Sequence, residues 1–192
     1  MKYTIKKITV NDMVKYAEVS ITFMVEKILE PISIDNGLGG IRLIEKEVES
    51  YIKEYDAIGS GPNGWHNRFD TTNWVRFVAV DENGEFIGGV TVAFNTDKVN
   101  MLEGRDDMTV LWDIRIHPDF RHKGIGRELF SSALQWSGAK GCTMMKIETQ
   151  NININACRFY SAMGCRLGAI RKHVYQEESC RNEVQLLWYY DL

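Results

Sequence analysis

The stretch Leu111-Trp112-Asp113-Ile114-Arg115-Ile116-His117-Pro118-Asp119-Phe120-Arg121-His122-Lys123-Gly124-Ile125-Gly126-Arg127-Glu128-Leu129-Phe130 reads as a buried strand, a turn with two glycines and the start of an amphipathic helix. Pro118 ends the strand. Ile125, Leu129, Leu134 and Trp136 carry the apolar face of the helix on to Ala139, and Gly141 stops it. The first turn of a helix has unpaired backbone N–H groups and the positive end of the helix dipole. Gly124 and Gly126 lack Cβ atoms, so a diphosphate can come close to the main chain there. Arg121, His122, Lys123 and Arg127 surround the turn with positive or potentially positive groups. The spacing is neither a Walker A loop nor the GxGxxG dinucleotide fingerprint. Taken alone, two glycines at a strand–helix junction fit a plain tight turn equally well.

Working outward, a first strand is expected over residues 2–8. A helix follows, with Thr9 or Asn11 as its cap and Met13, Val14, Ala17, Ile21 and Met24 at helical spacing. Pro31 and the run Gly37-Leu38-Gly39-Gly40 break that pattern. A second helix is expected from Ile41 to Tyr55, with Ile44, Val48, Tyr51, Ile52 and Tyr55 on its apolar side and Glu45, Glu47, Glu49 and Lys53 in solvent. Residues 59–73 read as a surface loop whose Trp65, His66, Arg68 and Phe69 either pack it down or line an acceptor pocket. Strands are expected over Trp74–Val80, Phe86–Phe94 and Met108–Ile116, the first two joined by the turn Asp81-Glu82-Asn83-Gly84. After the glycine turn and its helix come a strand holding Met144, Ile147 and Thr149 and a short helix over Asn153–Met163. Strands over Arg166–Ile170 and Val184–Tyr190 close the chain. This order predicts an α+β fold in a single domain over residues 1–192, with one mixed, mostly antiparallel sheet flanked by helices.

With 44% hydrophobic and 26% charged residues the composition is that of a globular chain. A net charge of −3 without a dense Lys/Arg cluster argues against a nucleic-acid partner. No apolar run approaches the length of a signal peptide or a bilayer span, so a cytoplasmic protein without a membrane partner is expected. Cys142, Cys157, Cys165 and Cys180 form no CxxC pair; buried free thiols are expected at Cys142, Cys157 and Cys165, and no metal.

Arg121-x-x-Gly124-x-Gly126 matches every defined position of the R/Q-x-x-G-x-G/A motif and so resembles the GCN5-related N-acetyltransferase (GNAT) superfamily. The resemblance is best over residues 74–170. It implies that acetyl-CoA pyrophosphate binds the backbone amides of residues 121–126, Ile125 included. It also implies that the strand edge at Ile114 and Ile116 bonds the pantetheine arm, a task that a splayed or bulged strand suits. Asn153, Ala156 and Tyr160 stand where the second signature of the family has its Asn, Ala and Tyr. The implied roles are cofactor contact for Asn153, which also caps its helix, and for Ala156. For Tyr160 the implied role is general acid toward the departing thiolate, since a phenol remains protonated at neutral pH.

Acetyl transfer needs a neutral amine and a route for its proton. Asp113 is the leading base, an acid embedded among apolar residues; a structural Asp113 paired with Arg115, Arg68 or a backbone donor is the equal alternative. Glu148 either draws in a cationic substrate or pairs elsewhere. His117, just before Pro118, is expected to stabilise the turn. The stretch Lys146–Asn151 with Asn153, Ala156, Phe159, Tyr160, Trp188 and Tyr189 is similar to streptothricin acetyltransferases, which acylate an amine of a cationic antibiotic. The expected function is therefore acetyl-CoA-dependent N-acetylation of a small cationic amine, by a monomer or homodimer. The alternatives are a catalytically inactive acyl-CoA-binding regulator and a peptide or protein N-acetyltransferase.

Overall fold

The computed structural model describes residues 2–57 and 61–192. Among the described residues nine strands and four α-helices follow in chain order: β1 (Tyr3–Lys7), α1 (Met13–Ala17), β2 (Phe23–Ser33), β3 (Ile41–Lys53), α2 (Trp65–Arg68), β4 (Val75–Asp81), β5 (Phe86–Phe94), β6 (Met108–Ile116), α3 (Ile125–Ala139), β7 (Met144–Gln150), α4 (Ile154–Ala162), β8 (Arg166–Arg171) and β9 (Gln185–Asp191). The α+β class and the mixed, mostly antiparallel sheet are as the sequence implies. The chain divides into two compact units. One comprises Met1–Phe23, Glu54–Ile147 and Asp191–Leu192; the other comprises Met24–Lys53 and Glu148–Tyr190.

In the first unit the strand order is β1-β4-β5-β6-β7. Antiparallel pairs join β1 to β4, β4 to β5 and β5 to β6, while β6 and β7 are parallel, as the helical crossover through α3 requires. Side chains alternate between the faces of β5. Gly88 meets Ile116 and Ile125 on the face that α3 covers, whereas Gly89 lies under the ring of Tyr16 from α1. A Cβ on Gly89 would stand 2.4 Å from the Tyr16 ring, so only glycine lets this ring rest on the strand. On the α3 side Ile125, Leu129, Phe130 and Ala133 are buried, and Thr109 and Ser137 share a hydrogen bond of 2.9 Å. On the other face Trp74, Ala93, Val99, Leu102 and Val110 form a core against which Trp65, Phe69 and Trp112 pack. The described part of the 59–73 loop is thus fastened down through Trp65 and Phe69; residues 59 and 60 lie outside the described residues.

The second unit corrects two expectations. The segment expected to be a helix from Ile41 to Tyr55 is strand β3, paired with β2 in a separate two-stranded sheet. The first expected helix ends at Ala17, and residues from Phe23 onward extend as β2, with Pro31 inside it. Ile44, Val48 and Ile52 have helical spacing, but β-branched residues also suit a strand, and the turn between Ile34 and Gly40 closes a hairpin. Charge pairs cross that hairpin, Lys27 to Glu47 at 3.5 Å and Lys46 to Glu30 at 2.8 Å. Buried Asn151 holds this unit together: its amide donates to the Leu29 carbonyl, and its Oδ1 accepts from the Val184 N–H. Lys53 and Glu183 form a buried ion pair of 2.5 Å at the end of β3. Burial pushes the Glu183 carboxyl up and Lys53 opposes the shift.

Candidate active site

β6 changes partners along its length. Its parallel register with β7 runs from Met108↔Met144 to Leu111↔Ile147 and stops, although β6 continues to Ile116. The register with β5 shifts at the same place, because Thr91 faces Asp113 while Val92 faces Leu111, leaving Trp112 as the extra residue of a β-bulge. Beyond it, the His117 N–H bonds the Ile87 carbonyl at 3.0 Å. Alternation in an antiparallel ladder then makes Arg115–Gly89 a hydrogen-bonded pair and points the N–H and C=O groups of Ile114 and Ile116 away from β5. Among the described residues this edge of β6 has no register partner beyond Leu111. One of its acceptors is already used: the Ile116 carbonyl takes the Arg121 Nε–H at 3.1 Å.

The turn after β6 presents amides. A 3-10 turn, Pro118–Phe120, follows His117, whose Nδ1 accepts the Asp119 N–H at 3.3 Å, the turn-stabilising role expected of that histidine. His122 and Gly124 then adopt left-handed conformations, φ +60° and +87°. Among the described residues no protein acceptor takes the N–H groups of His122, Lys123, Gly124, Ile125 or Gly126, while the Arg127 and Glu128 amides return to the Gly124 carbonyl. A Cβ built on Gly124 meets nothing within 4 Å, so the space over this turn is open. The result is a run of five free donors at the positive end of the fifteen-residue helix α3.

The side chains around the turn behave less uniformly than their charges suggest. The Arg121 guanidinium turns inward to the Ile116 and Thr22 carbonyls, the latter at 2.7 Å, and its burial lowers its proton affinity. Lys123 Nζ folds back to the Asp119 carbonyl at 2.7 Å and lies over the Phe120 ring. His122 and Arg127 are exposed. Arg121 is therefore a brace for the turn, while the free donors belong to the main chain.

Asp113 sits in a closed network. Its Oδ2 accepts the Arg115 Nε–H at 2.9 Å and its Oδ1 accepts Nη2 at 3.0 Å; Arg115 also bonds Asp56 and the Val19 carbonyl. The hydroxyl of Tyr16 donates to Asp113 Oδ2 at 2.5 Å and accepts from Thr91 Oγ1 at 3.2 Å. Burial and the neighbouring carboxylate push the Tyr16 phenol well above its ordinary range, which keeps it a donor. Of the two roles the sequence left open, the geometry supplies the partner that the structural one requires, Arg115. Tyr16 and Asp56 carried no signal in the sequence; they enter the network only through the tertiary fold.

In the second unit Asn153 caps α4, its Oδ1 accepting the Ala156 N–H at 3.1 Å, as its position before the helix implies. Tyr160 is buried one turn further on, with its ring 6.4 Å from that of Trp188. Glu148, half-buried on β7, accepts a hydrogen bond of 2.8 Å from the Tyr175 hydroxyl. All four cysteines are buried free thiols. Among the described residues no cluster of His, Cys, Asp or Glu could hold a metal ion, and no helix is long and apolar enough to cross a membrane.

Comparison with known proteins agrees with this architecture. Nourseothricin acetyltransferase superposes with a TM-score of 0.78 at 20% identity, over 100% of this chain and 99% of that one. A Bacillus anthracis protein solved in complex with acetyl coenzyme A does so with a TM-score of 0.78 at 24% identity over the whole of both chains. In sequence, streptothricin acetyltransferase A of Bacillus subtilis (strain 168) is 36% identical over 93 residues, 48% of this chain and 54% of its own length. The streptothricin acetyltransferase of Escherichia coli is 27% identical over 94 residues, 48% and 54% of the two lengths. The chain thus spans about half the length of the curated relatives it matches. The family model for acetyltransferases of the GNAT type matches residues 42–165, which include the bulged strand, the amide turn and the capped helix α4, and the chain belongs to that family.

Proposed function

We propose that the protein transfers the acetyl group of acetyl-CoA to an amine of a small cationic acceptor, an antibiotic of the streptothricin kind or a similarly charged metabolite. The observation that carries the donor half is the run of free amides from His122 to Gly126 under open space. Phosphate oxygens are the ligand such a run suits, because each N–H meets an acceptor and the helix dipole favours the charge. Arg127 is free to add a cationic contact at the rim and His122 a hydrogen bond, and Arg121 and Lys123 hold the turn's shape. Along β6 the free groups of Ile114 and the Ile116 N–H take the amides of the pantetheine arm, as an added strand would. Asn153 and Ala156 contact the cofactor at the start of α4.

With the thioester beside the bulge, the acceptor amine attacks its carbonyl carbon and a tetrahedral oxyanion forms, which fixed backbone donors near the strand break are suited to stabilise. Tyr160 gives its phenolic proton to the CoA thiolate as the C–S bond breaks, and the proton that the attacking nitrogen sheds to water restores the phenol. We assign Asp113 the structural role: its pairing with Arg115 and Tyr16 holds the bulge and leaves its carboxylate committed. The cationic character of the acceptor rests on the likeness to streptothricin and nourseothricin acetyltransferases. The test is release of free CoA from acetyl-CoA with streptothricin as acceptor, with the acetylated product weighed by mass spectrometry. Acetyl-CoA binding without turnover on streptothricin or on any of a panel of amines and peptides would support a regulatory acyl-CoA sensor instead.

A further inference from the structure

The first unit buries two arginines on β4 and β6, and they are treated differently. Arg115 has its donors filled by Asp113, Asp56 and the Val19 carbonyl. Arg76 is 4% exposed, and its Nε is buried without a hydrogen-bond partner. Among the described residues no hydrogen bond or ion pair holds this guanidinium; it rests over the Trp74 ring, 5.8 Å from the ring centre. Buried charges are ordinarily paired, and an arginine does not escape the cost by losing its proton. Burial lowers the proton affinity of Arg76, with no carboxylate to oppose it. A guanidinium held in this way gains most from an oxyanion that arrives with a ligand.

The register places it. Arg76 stands opposite Thr91 on β5, and Thr91 stands opposite Asp113 on β6, so the three make a row across the sheet. Residues directly opposite share a face, and Thr91 donates its hydroxyl hydrogen to Tyr16. The row therefore lies on the face that α1 covers, the one away from α3. Along β4 the same face carries Trp74, packed with Trp65, Phe69 and Trp112, and Val78, packed with Tyr16. The row reaches β6 at Asp113, beside the bulge at Trp112 and two strand spacings, about 10 Å, from β4. The amide turn proposed for the diphosphate leads into α3 on the opposite face, so the oxyanion that Arg76 suits belongs to the acceptor.

We propose that Arg76 binds a carboxylate carried by the acceptor. The ligand class is an amino acid with a basic side chain, which supplies an amine for acetylation and keeps the net positive charge of the acceptor proposed above. The planar fork of Arg76 matches the two carboxylate oxygens, and its contribution is to acceptor binding and not to the chemical step. The inference deepens the transferase reading and rests on it for the identity of the transfer site.

The experiment titrates the full-length wild type, Arg76→Met and Arg76→Lys by calorimetry with saturating CoA. The ligands are two pairs that differ only by a carboxylate, lysine with cadaverine and ornithine with putrescine. The wild type is expected to bind the acid of at least one pair tenfold more tightly than its amine. Arg76→Met brings the two within twofold of each other while its affinity for the amine is unchanged, and Arg76→Lys keeps part of the preference. This isolates the coupling between the side chain and the carboxylate. A wild type with no preference in either pair overturns the proposal, as does a preference retained in Arg76→Met or an equal loss for acid and amine. Should Arg76→Met fail to fold, Arg76→Lys decides: a preference reduced at least threefold supports the site, and an unchanged one overturns it. Release of CoA from acetyl-CoA is followed in parallel. A wild type that prefers the acid through Arg76 but acetylates no amine sinks the transferase reading and leaves the carboxylate site standing. Acetylation of the amines without any preference for the acids does the reverse.

Discussion

Arg115 grips Asp113 with two parallel hydrogen bonds, Nε to Oδ2 at 2.9 Å and Nη2 to Oδ1 at 3.0 Å, and the arginine side chain is almost wholly buried. Both residues come from the strand that the cofactor is proposed to line, on the far side of the bulge at Trp112. The Tyr16 hydroxyl and Asp56 complete the network from outside the strand.

Replacing Asp113 with Asn leaves a buried guanidinium with only Asp56 as a charged partner. Breaking a buried pair in this way costs about 3 kcal/mol, visible as a shifted midpoint in urea denaturation. A variant of wild-type stability that has lost its turnover would instead make Asp113 the base.

At Gly124, φ is +87° and a Cβ would project into open space. Gly124→Val is therefore expected to keep the fold, with a backbone penalty of about 1–2 kcal/mol, and to lose at least tenfold in acetyl-CoA affinity by calorimetry. Undiminished affinity would move the diphosphate away from this turn.

Tyr160→Phe removes one hydroxyl from a buried ring. If that hydroxyl protonates the thiolate, kcat falls by about 10²-fold, the lower end for general acid catalysis, while acetyl-CoA affinity is retained. A loss confined to affinity refutes the acid role.

Burial pushes the thiols of Cys157 and Cys165 up to about 12 and about 11. The thiolate is the reactive form, so both are expected to resist iodoacetamide in the native protein at pH 8 and to be labelled in urea. Peptide mass spectrometry reads the difference; rapid native labelling would show that the helix α4 and the strand after it open readily.

What the sequence made legible was local. The strand, proline, glycine turn and helix from Met108 to Ala139 are read almost residue for residue, because each boundary has its own chemical mark: Pro118, Gly124 and Gly141. Asn153 announces a cap by its place before α4. The segment Ile41–Lys53 is misread because Ile44, Val48 and Ile52 satisfy a period of four as well as a period of two, and its charges pair with β2 only once the hairpin has formed. The resemblance places the Arg121 amide among the phosphate donors, but that N–H bonds the Pro118 carbonyl at 3.3 Å and the side chain bonds the Ile116 and Thr22 carbonyls. Tyr16, Asp56 and Tyr175 carry no mark in the sequence, since each acts on residues distant in the chain.

The free amides of residues 122–126 are proposed to hold acetyl-CoA for transfer to an amine. The most direct measurement of this is the rate of CoA release from acetyl-CoA with streptothricin present and absent, in the wild type and in Gly124→Val. Release that depends on streptothricin, yields a monoacetylated product and collapses in the variant at low acetyl-CoA is the predicted result. Release that ignores the acceptor, or is equal in the two proteins at every acetyl-CoA concentration, would contradict it.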